Sequence, residues 1–486
     1  MVFPKRHIDD TTAWEKRVVM IPRRRASLLL ALSAMLAPAA CATEGSRKSE
    51  IVDVLLRADD AQLRSRRELV AEKFRAMSES SHAFLRGCLA LARHDWHKGG
   101  SSLAQSRFAL PVTLVPTIGD PHVENFGAVD TNDGFHFALN DFDAADEASY
   151  LFDLRRLSIS LLVGANLARA QEPLSEDDAI RVERAVAEGY VAGLNGEDAG
   201  ASAIVDDTMK KAPRDLGDAL GELTVLEDGA RTVVRGVPDP TDPESRFESL
   251  PAWAAKELSH TLERFGVAHA QAVSPRYFEL LDAAREFGGG ISSRARVRVI
   301  AVVRGETDED EDDVVFEVKE LADSGALSGT LPYAKFSSVQ DRVEKLARWF
   351  GDPLYGAESW LGFPVQIKRE GLRSVRIRRW TDELATTDAF VDVGYEMGRV
   401  LALFHTSGSA DQKASARVRE TVLRDAKAFI DEQAALTHAE APKVEEDYAL
   451  FLEALKERGE ILGFHTDTHD ANPTLDRLIY GKEALK

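Results

Sequence analysis

The sequence predicts an α+β fold, and three observations carry that expectation. Apolar residues recur at helical spacing from about Ile51 to Ala109, and again through "DVGYEMGRVLALFHTSG" near His405. Between them, "LPVTLVPTIGD" reads as a short apolar strand, and "NFGAVDTNDGFHFALNDFD", from Asn125, reads as strand, turn, strand. A second strand pair is expected in "RARVRVIAVVRG" and "VVFEVKEL", joined by the acidic turn "ETDEDEDD".

The first segment, through "HAFLRGCLALARHDW", has the periodicity of a helical layer, with a polar joint at Thr43 to Lys48 in front of it. In the hairpin that follows, Asn132, Asp133 and Gly134 supply turn chemistry. An antiparallel pair centred there sets Asn125 opposite a position near Asn140 to Phe142. Asp120 precedes the hairpin on the same side. Asp120, Asn125 and Asp141 therefore converge at one end of it, a set of oxygens suited to a hard divalent cation such as Mg2+. Asp143 is a second candidate metal ligand, and His122 either braces the loop or acts chemically. Taken singly, Asp and Asn at such positions are turn formers through local hydrogen bonds.

"YLFDLRRLSISLLVGANLARA" is expected to be a helix, with Leu154, Leu157, Leu161, Leu162 and Ala165 on its apolar face. Asp153 would tie this helix to the loop at Asp120, while Arg86, Arg155 and Arg156 either meet an anionic substrate or form ion pairs. Residues 195–249 are mixed and polar, with "VPDPTDP" marking a loop, and suggest no chemistry. Gly288, Gly289 and Gly290 form either a flexible joint or a phosphate cradle. The acidic turn, seven of whose eight residues are Asp or Glu, is expected to be solvated. On the strand after it, alternation places Lys319 with Val315 and Glu317, opposite Val314, Phe316 and Val318. That face is either solvated or lines a cleft holding an anion. Further on, "VQDRVEKLARWF" reads as helix, "SVRIRRW" as strand, and the remainder to Lys486 as mostly helical.

The formal net charge of −20 argues against a nucleic-acid partner, which basic patches would serve. "IPRRRASLLLALSAMLAPAACATEG" reads as an export signal, with three arginines before an apolar run and small residues after it. Cys41 is a candidate lipid anchor, and cleavage after Ala42 is the competing outcome. Removing residues 1–40 takes out seven basic and three acidic residues, moving the charge from −20 to −24. The expected location is periplasmic or membrane-anchored, or cytoplasmic if the segment is not a working signal. No transmembrane helix is expected in the mature chain. Cys88 would then be left without an intrachain disulfide partner.

The pieces resemble the layout of phosphoryl transfer in protein kinases and aminoglycoside phosphotransferases. The resemblance implies a protein-kinase-like two-lobe fold that binds ATP and Mg2+. In it Gly288 to Gly290 and Lys319 would meet the nucleotide phosphates, Asp120 would orient a hydroxyl, and Asn125 with Asp141 would hold the metal. "GDPHVENFG", "NDFD" and "DLRRL", with "KFRAMSESSHAFLRG", "FEVKEL" and "GRVLALFHTSG", more closely resemble the bacterial family called domain of unknown function 2252 across roughly residues 60 to 440. Asp120 comes before Lys319, the reverse of the kinase order, which a circular permutation would explain. Four segments follow: an export signal (1–42), a helical lobe with the catalytic-loop hairpin (43–270), a β-rich nucleotide-binding lobe (271–385) and C-terminal helices completing the helical lobe (386–486). The acceptor substrate is not indicated. Two other functions fit the residues: an exported metal-dependent phosphoesterase using Asp120, His122, Asn125 and Asp141, and a catalytically inactive kinase-like surface lipoprotein. "FHTDTHDAN", where Asp467 and Asn472 repeat the Asp120 and Asn125 spacing, is read as coincidence or a surface loop.

Overall fold

The computed structural model describes residues 37–98, 101–131, 134–198, 200, 202–210, 223–227, 230–237, 246–269, 275–307, 309–321, 338–347, 354–370, 373–374, 386–407, 412–466, 474 and 478. Most of the expected export signal, the turn residues Asn132 and Asp133, nearly all of "VPDPTDP", "SVRIRRW" beyond Ser374, and both Asp467 and Asn472 lie outside them. The chain divides between Ser46 and Arg47, and the unit from Arg47 onward holds all the described strands.

Helix and strand coexist as expected, which makes the fold α+β. Five helices come first: α1 (Ala37–Ala58), α2 (Asp60–Ser65), α3 (Arg67–Met77), α4 (Ser81–Gly87) and α5 (Leu89–His97). The polar joint expected at Thr43 to Lys48 is part of α1 instead. Lys48 holds Glu457, 2.7 Å away on the helix Ala426–Arg458, so polar character here marks ion pairing between helices. Strand β1 (Val115–Thr117) pairs antiparallel with β4 (Asp146–Ala148). Between them lies the expected hairpin, β2 (Phe126–Thr131) with β3 (Gly134–Leu139), in register from Phe126–Leu139 to Thr131–Gly134.

Helix α6 (Tyr150–Ala168) is buried on every side from Tyr150 to Ala165, which makes it the axis of the largest core. Helix α7 (Glu176–Asn195) has a local explanation at both ends. The Ser175 hydroxyl accepts the Asp178 amide, Glu176, Asp177 and Asp178 face the positive end of the helix dipole, and Gly196 closes it at φ 76°. Helix α8 (Ala203–Lys210) and the ribbon β5 (Thr224–Glu227) with β6 (Ala230–Val233) follow.

The second layer is a six-stranded antiparallel sheet. It contains β7 (Arg246–Ser249), β8 (Leu280–Phe287), β9 (Arg298–Val303), β10 (Val314–Glu320), β11 (Gly356–Trp360) and β12 (Phe363–Arg369), in spatial order β11-β12-β10-β9-β8-β7. Helix α9 (Ala252–His269) covers one face, where Leu258, Leu262 and Phe265 meet Phe316, Val318 and Ile367. Strand β7 and α9 precede the expected boundary at residue 271, yet they share the sheet's hydrogen bonds and core. Helix α10 (Val339–Ala347) follows β10, and the two-residue strand β13 (Arg373–Ser374) pairs with β2.

The chain ends in α11 (Thr387–Ser407), α12 (Gln412–Leu423) and α13 (Ala426–Arg458). Helices α11 and α7 pack backbone to backbone at Gly398, where any side chain would collide with the Val186 carbonyl. Among the described residues no helix is long and apolar enough to cross a membrane.

The solvated acidic turn needs one correction. Asp313, its last residue, is fully buried, with Arg231 3.4 Å away, because the turn folds into a 3-10 segment (Asp310–Asp312) directly ahead of β10. Burial raises the Asp313 pKa against the pull of Arg231.

Candidate active site

The loop from Ile118 to Asn125 is fixed from below. Asp153, on the first turn of α6 and wholly buried, accepts the Ile118 amide at 2.7 Å and the Gly119 amide at 3.1 Å. His405, at the end of α11, approaches the same carboxylate through Nε2 at 3.3 Å, and the Tyr190 hydroxyl lies 2.9 Å from His405 Nδ1. Asp153 as acceptor puts a proton on Nε2, and Nδ1 shares a hydrogen bond with the Tyr190 hydroxyl. Gly119 has φ 76° and a Cβ there would strike the Ala144 carbonyl, so the chain can turn here only without a side chain.

Asp153→Asn should therefore lower stability by about 1–3 kcal/mol, because an amide cannot accept two backbone donors and His405 together. Urea unfolding measures it. A loss below a few tenths of a kcal/mol would mean that packing at Gly119, and not Asp153, sets the loop.

Above this base the loop closes into one 3-10 turn, Val123–Asn125. The Asn125 side-chain amide donates to the Asp120 carbonyl at 2.8 Å, leaving its Oδ1 free to ligate. The Asn140 amide donates to the Asn125 carbonyl at 3.1 Å, so the hairpin brings the two segments together as expected. Asp120 is buried and bonded to Arg156, whose Nε donates to Oδ1 at 2.7 Å. Burial raises the Asp120 pKa, with Arg156 opposing and the charge of Asp143 adding to the rise. His122 is buried and held well below its usual pKa, first by burial and then by Arg86, His82 and Arg156. It is neutral, and its Nδ1 has no hydrogen-bond partner in the structure.

Lys319 crosses from the sheet to the hairpin. Its side chain is 1 % exposed, and Nζ lies 2.8 Å from Asp141 Oδ2 and 3.0 Å from Asp143 Oδ2. The solvated alternative for this face is thus excluded: Val315 enters a small apolar cluster, while Glu317 and Lys319 enter a charged cleft. Burial disfavours the charge on both Lys319 and Asp141, and the pair overcomes it. The lysine pKa is raised by Asp141, Asp143 and Glu317, and the Asp141 pKa is lowered by Lys319 and Lys368.

The sheet supplies more charge than expected. Lys319 sits directly across from Arg298 on β9 and Gln366 on β12, and Glu317 across from Lys368. Arg298 lies 3.3 Å and Lys368 3.5 Å from Glu317. Burial opposes the Glu317 charge, but Arg298, Lys368 and Lys319 together hold its pKa at about 2. Arg296 donates to Asp143 at 2.9 Å, and Arg342 of α10 donates to the Asp143 carbonyl at 2.8 Å. The alternation in "RARVRV" places Arg296 and Arg298 on one face, a signal available in the sequence.

Gly288, Gly289 and Gly290 open the connection from β8 to β9, and Gly288 and Gly290 have positive φ. Arg294 holds the Gly288 carbonyl at 2.7 Å, which makes this a fixed turn and no free joint. A side chain at Gly289 would meet Arg298 and Glu286, so the turn borders the charged cleft. The arginines left open between substrate and ion pairs are in ion pairs, the last of them buried on both sides: Arg86 with Glu124 at 2.5 Å, Arg155 with Glu432 at 3.3 Å, and Arg156 with Asp120.

Residues 65–454 match the family model described as "Uncharacterized protein conserved in bacteria (DUF2252)", and the chain belongs to that family. No curated protein and no solved structure matches the chain.

Proposed function

Starting from that membership, we propose that the chain is a kinase-like, magnesium- and ATP-dependent phosphotransferase whose kinase-type fold is circularly permuted. The observation that carries the reading is Lys319 Nζ, held between Asp141 and Asp143 beside the loop that presents Asp120 and Asn125. A glycine turn between the first two strands of a meander, a lysine on the third and a helix after it form the kinase arrangement around nucleotide phosphates. Here they correspond to Gly288–Gly290 between β8 and β9, Lys319 on β10, and α10. The end of α11 reaches the Asp153 carboxylate beneath Gly119, which supports a chain opened between that helix and the loop.

In this reading Asn125 Oδ1 and Asp141 would hold Mg2+, with Asp143 beside them, and the ion would supply screening of the charge on the transferred group. Lys319, with Arg298 and Lys368 next to it on the sheet, would meet phosphate oxygens. Asp120 orients the acceptor hydroxyl and takes its proton. One feature departs from kinases: α10 sends Arg342 toward this cluster, while its Glu344 holds His269 at 2.9 Å. Asp141 and Asp143 supply the lysine's counter-charge instead.

A second reading, an inactive kinase-like module, draws on the burial of Lys319 and the neutralisation of Asp120 by Arg156. Thermal unfolding with ATP and Mg2+ together, and with each alone, separates the two. The phosphotransferase reading expects a rise that needs both ligands, about 2.7 kcal/mol at a hundredfold excess over Kd, and that Asp141→Asn removes. A rise with ATP alone, or none, would favour the inactive module. A rise with a transition metal alone, lost in Asp120→Ala, would favour a phosphoesterase.

A further inference from the structure

A cavity of about 520 Å3 lies among α4, α5, α6 and α13, away from the charged sheet face. Its floor is apolar, formed by residues such as Phe84, Leu85, Leu91, Trp96, Phe152 and Ile159. Several charges in its wall are paired with one another: Arg47 binds Asp95 at 2.6 Å and Asp447 at 2.5 Å, and Lys443 binds Glu440 at 2.7 Å. Among the described residues no buried side-chain nitrogen or oxygen of the lining lacks a hydrogen-bond partner. A ligand here is offered apolar area and mostly paired charges, the exception being Glu446, which is exposed to solvent.

One lining residue reaches the candidate catalytic loop. Arg156 lines the cavity and also bonds Asp120, donating through a second nitrogen to the Leu85 carbonyl at 2.9 Å. The Cys88 thiol in the same wall feels both groups: burial pushes its pKa up to about 12, with Arg156 opposing and Asp447 and Asp120 adding to the rise. The cavity thus approaches Asp120 from the helical side, while Lys319 and the glycine turn lie on the sheet side.

We infer that this cavity binds an uncharged alcohol with a bulky apolar body, its hydroxyl directed toward Arg156 and Asp120. The volume suits a compact ring system or short branched chain within the usual range of small-molecule sites. Its role as phosphoryl acceptor rests on the function proposed above, whereas its binding does not. In that role the alcohol oxygen attacks the terminal phosphorus of ATP, its proton passes to Asp120, and ADP leaves with the electrons of the broken P–O bond.

Binding is tested on the full chain, without nucleotide or magnesium, by displacement of Nile red with 2-naphthaleneethanol. The expected result is saturable one-site displacement, weakened about tenfold or more by Ala92→Trp, which fills the cavity from α5. Ala92→Leu should weaken it less, so graded loss in folded variants separates filling from misfolding. The carboxylate 2-naphthoate and the amine 2-naphthylmethylamine should compete poorly. Absent or non-saturable displacement, indifference to both Ala92 variants, or equal competition by the charged analogues would overturn the inference. Alcohol binding with no effect of ATP and Mg2+ on stability would leave the cavity standing and sink the phosphotransferase; the opposite pair of results would do the reverse.

Discussion

Lys319→Met is expected to lower stability by about 3–5 kcal/mol at neutral pH and to abolish the joint effect of ATP and Mg2+. Methionine keeps most of the lysine's length and apolar stem but leaves Asp141 and Asp143 without the cation between them. A buried pair broken on one side costs more than the pair contributed, because the remaining charge is desolvated and uncompensated. The pH dependence gives the sign. The Asp141 pKa is depressed in the fold, burial being outweighed by Lys319 and Lys368, so its contribution is present above the ordinary aspartate value of about 3.9 and is lost as pH falls through the depressed one. The Lys319 pKa is raised, so its contribution is present below the ordinary lysine value of about 10.4 and fades at higher pH. Urea unfolding from pH 3 to 8 should show the largest gap at neutrality and convergence at the acid end. Equal stability at neutral pH would mean that water, and not the lysine, neutralises the two carboxylates.

How much of this site the sequence carried depends on how locally each part is encoded. The hairpin was legible because a turn with flanking alternation fixes register, and register alone brings Asn140 to Asn125. Lys319 was legible as to face, since alternation with period two holds along β10. Its ion pairs were not, because Asp141 lies 178 residues away and their contact depends on how the sheet meets the hairpin. Asp153 could be assigned its tie to the loop, but Tyr190 and His405 joined that tie only through the packing of α7, α11 and α6. Arg156 shows the limit most clearly. In sequence it is one of two adjacent arginines in "DLRRL", and only the fold turns Arg156 to Asp120 and Arg155 to Glu432. The family match from residue 65 to residue 454 sets the extent of the relationship and leaves these pairings to the structure.

Asp120→Asn should lower kcat about 10²- to 10⁴-fold, the range for losing a general base, and should destabilise the protein as well. The second effect arises because Arg156 is 6 % exposed and would keep a buried charge with no counter-ion. The two effects are separable. Arg156→Met combined with Asp120→Asn removes both charges from the site, so urea unfolding should return toward the wild-type midpoint while turnover stays low. ATP hydrolysis without an added acceptor reports turnover before a substrate is known. The pH profile gives an independent reading. Burial raises the Asp120 pKa above the ordinary aspartate range despite Arg156, so the wild-type fold is stabilised when acid neutralises it, while activity is lost over the same interval. The acid limb of kcat/KM should therefore fall above about pH 3.9 and disappear in Asp120→Asn. An unchanged limb in that variant would assign the base to another group. Restored stability accompanied by restored turnover in the double variant would reduce Asp120 to the counter-ion of Arg156.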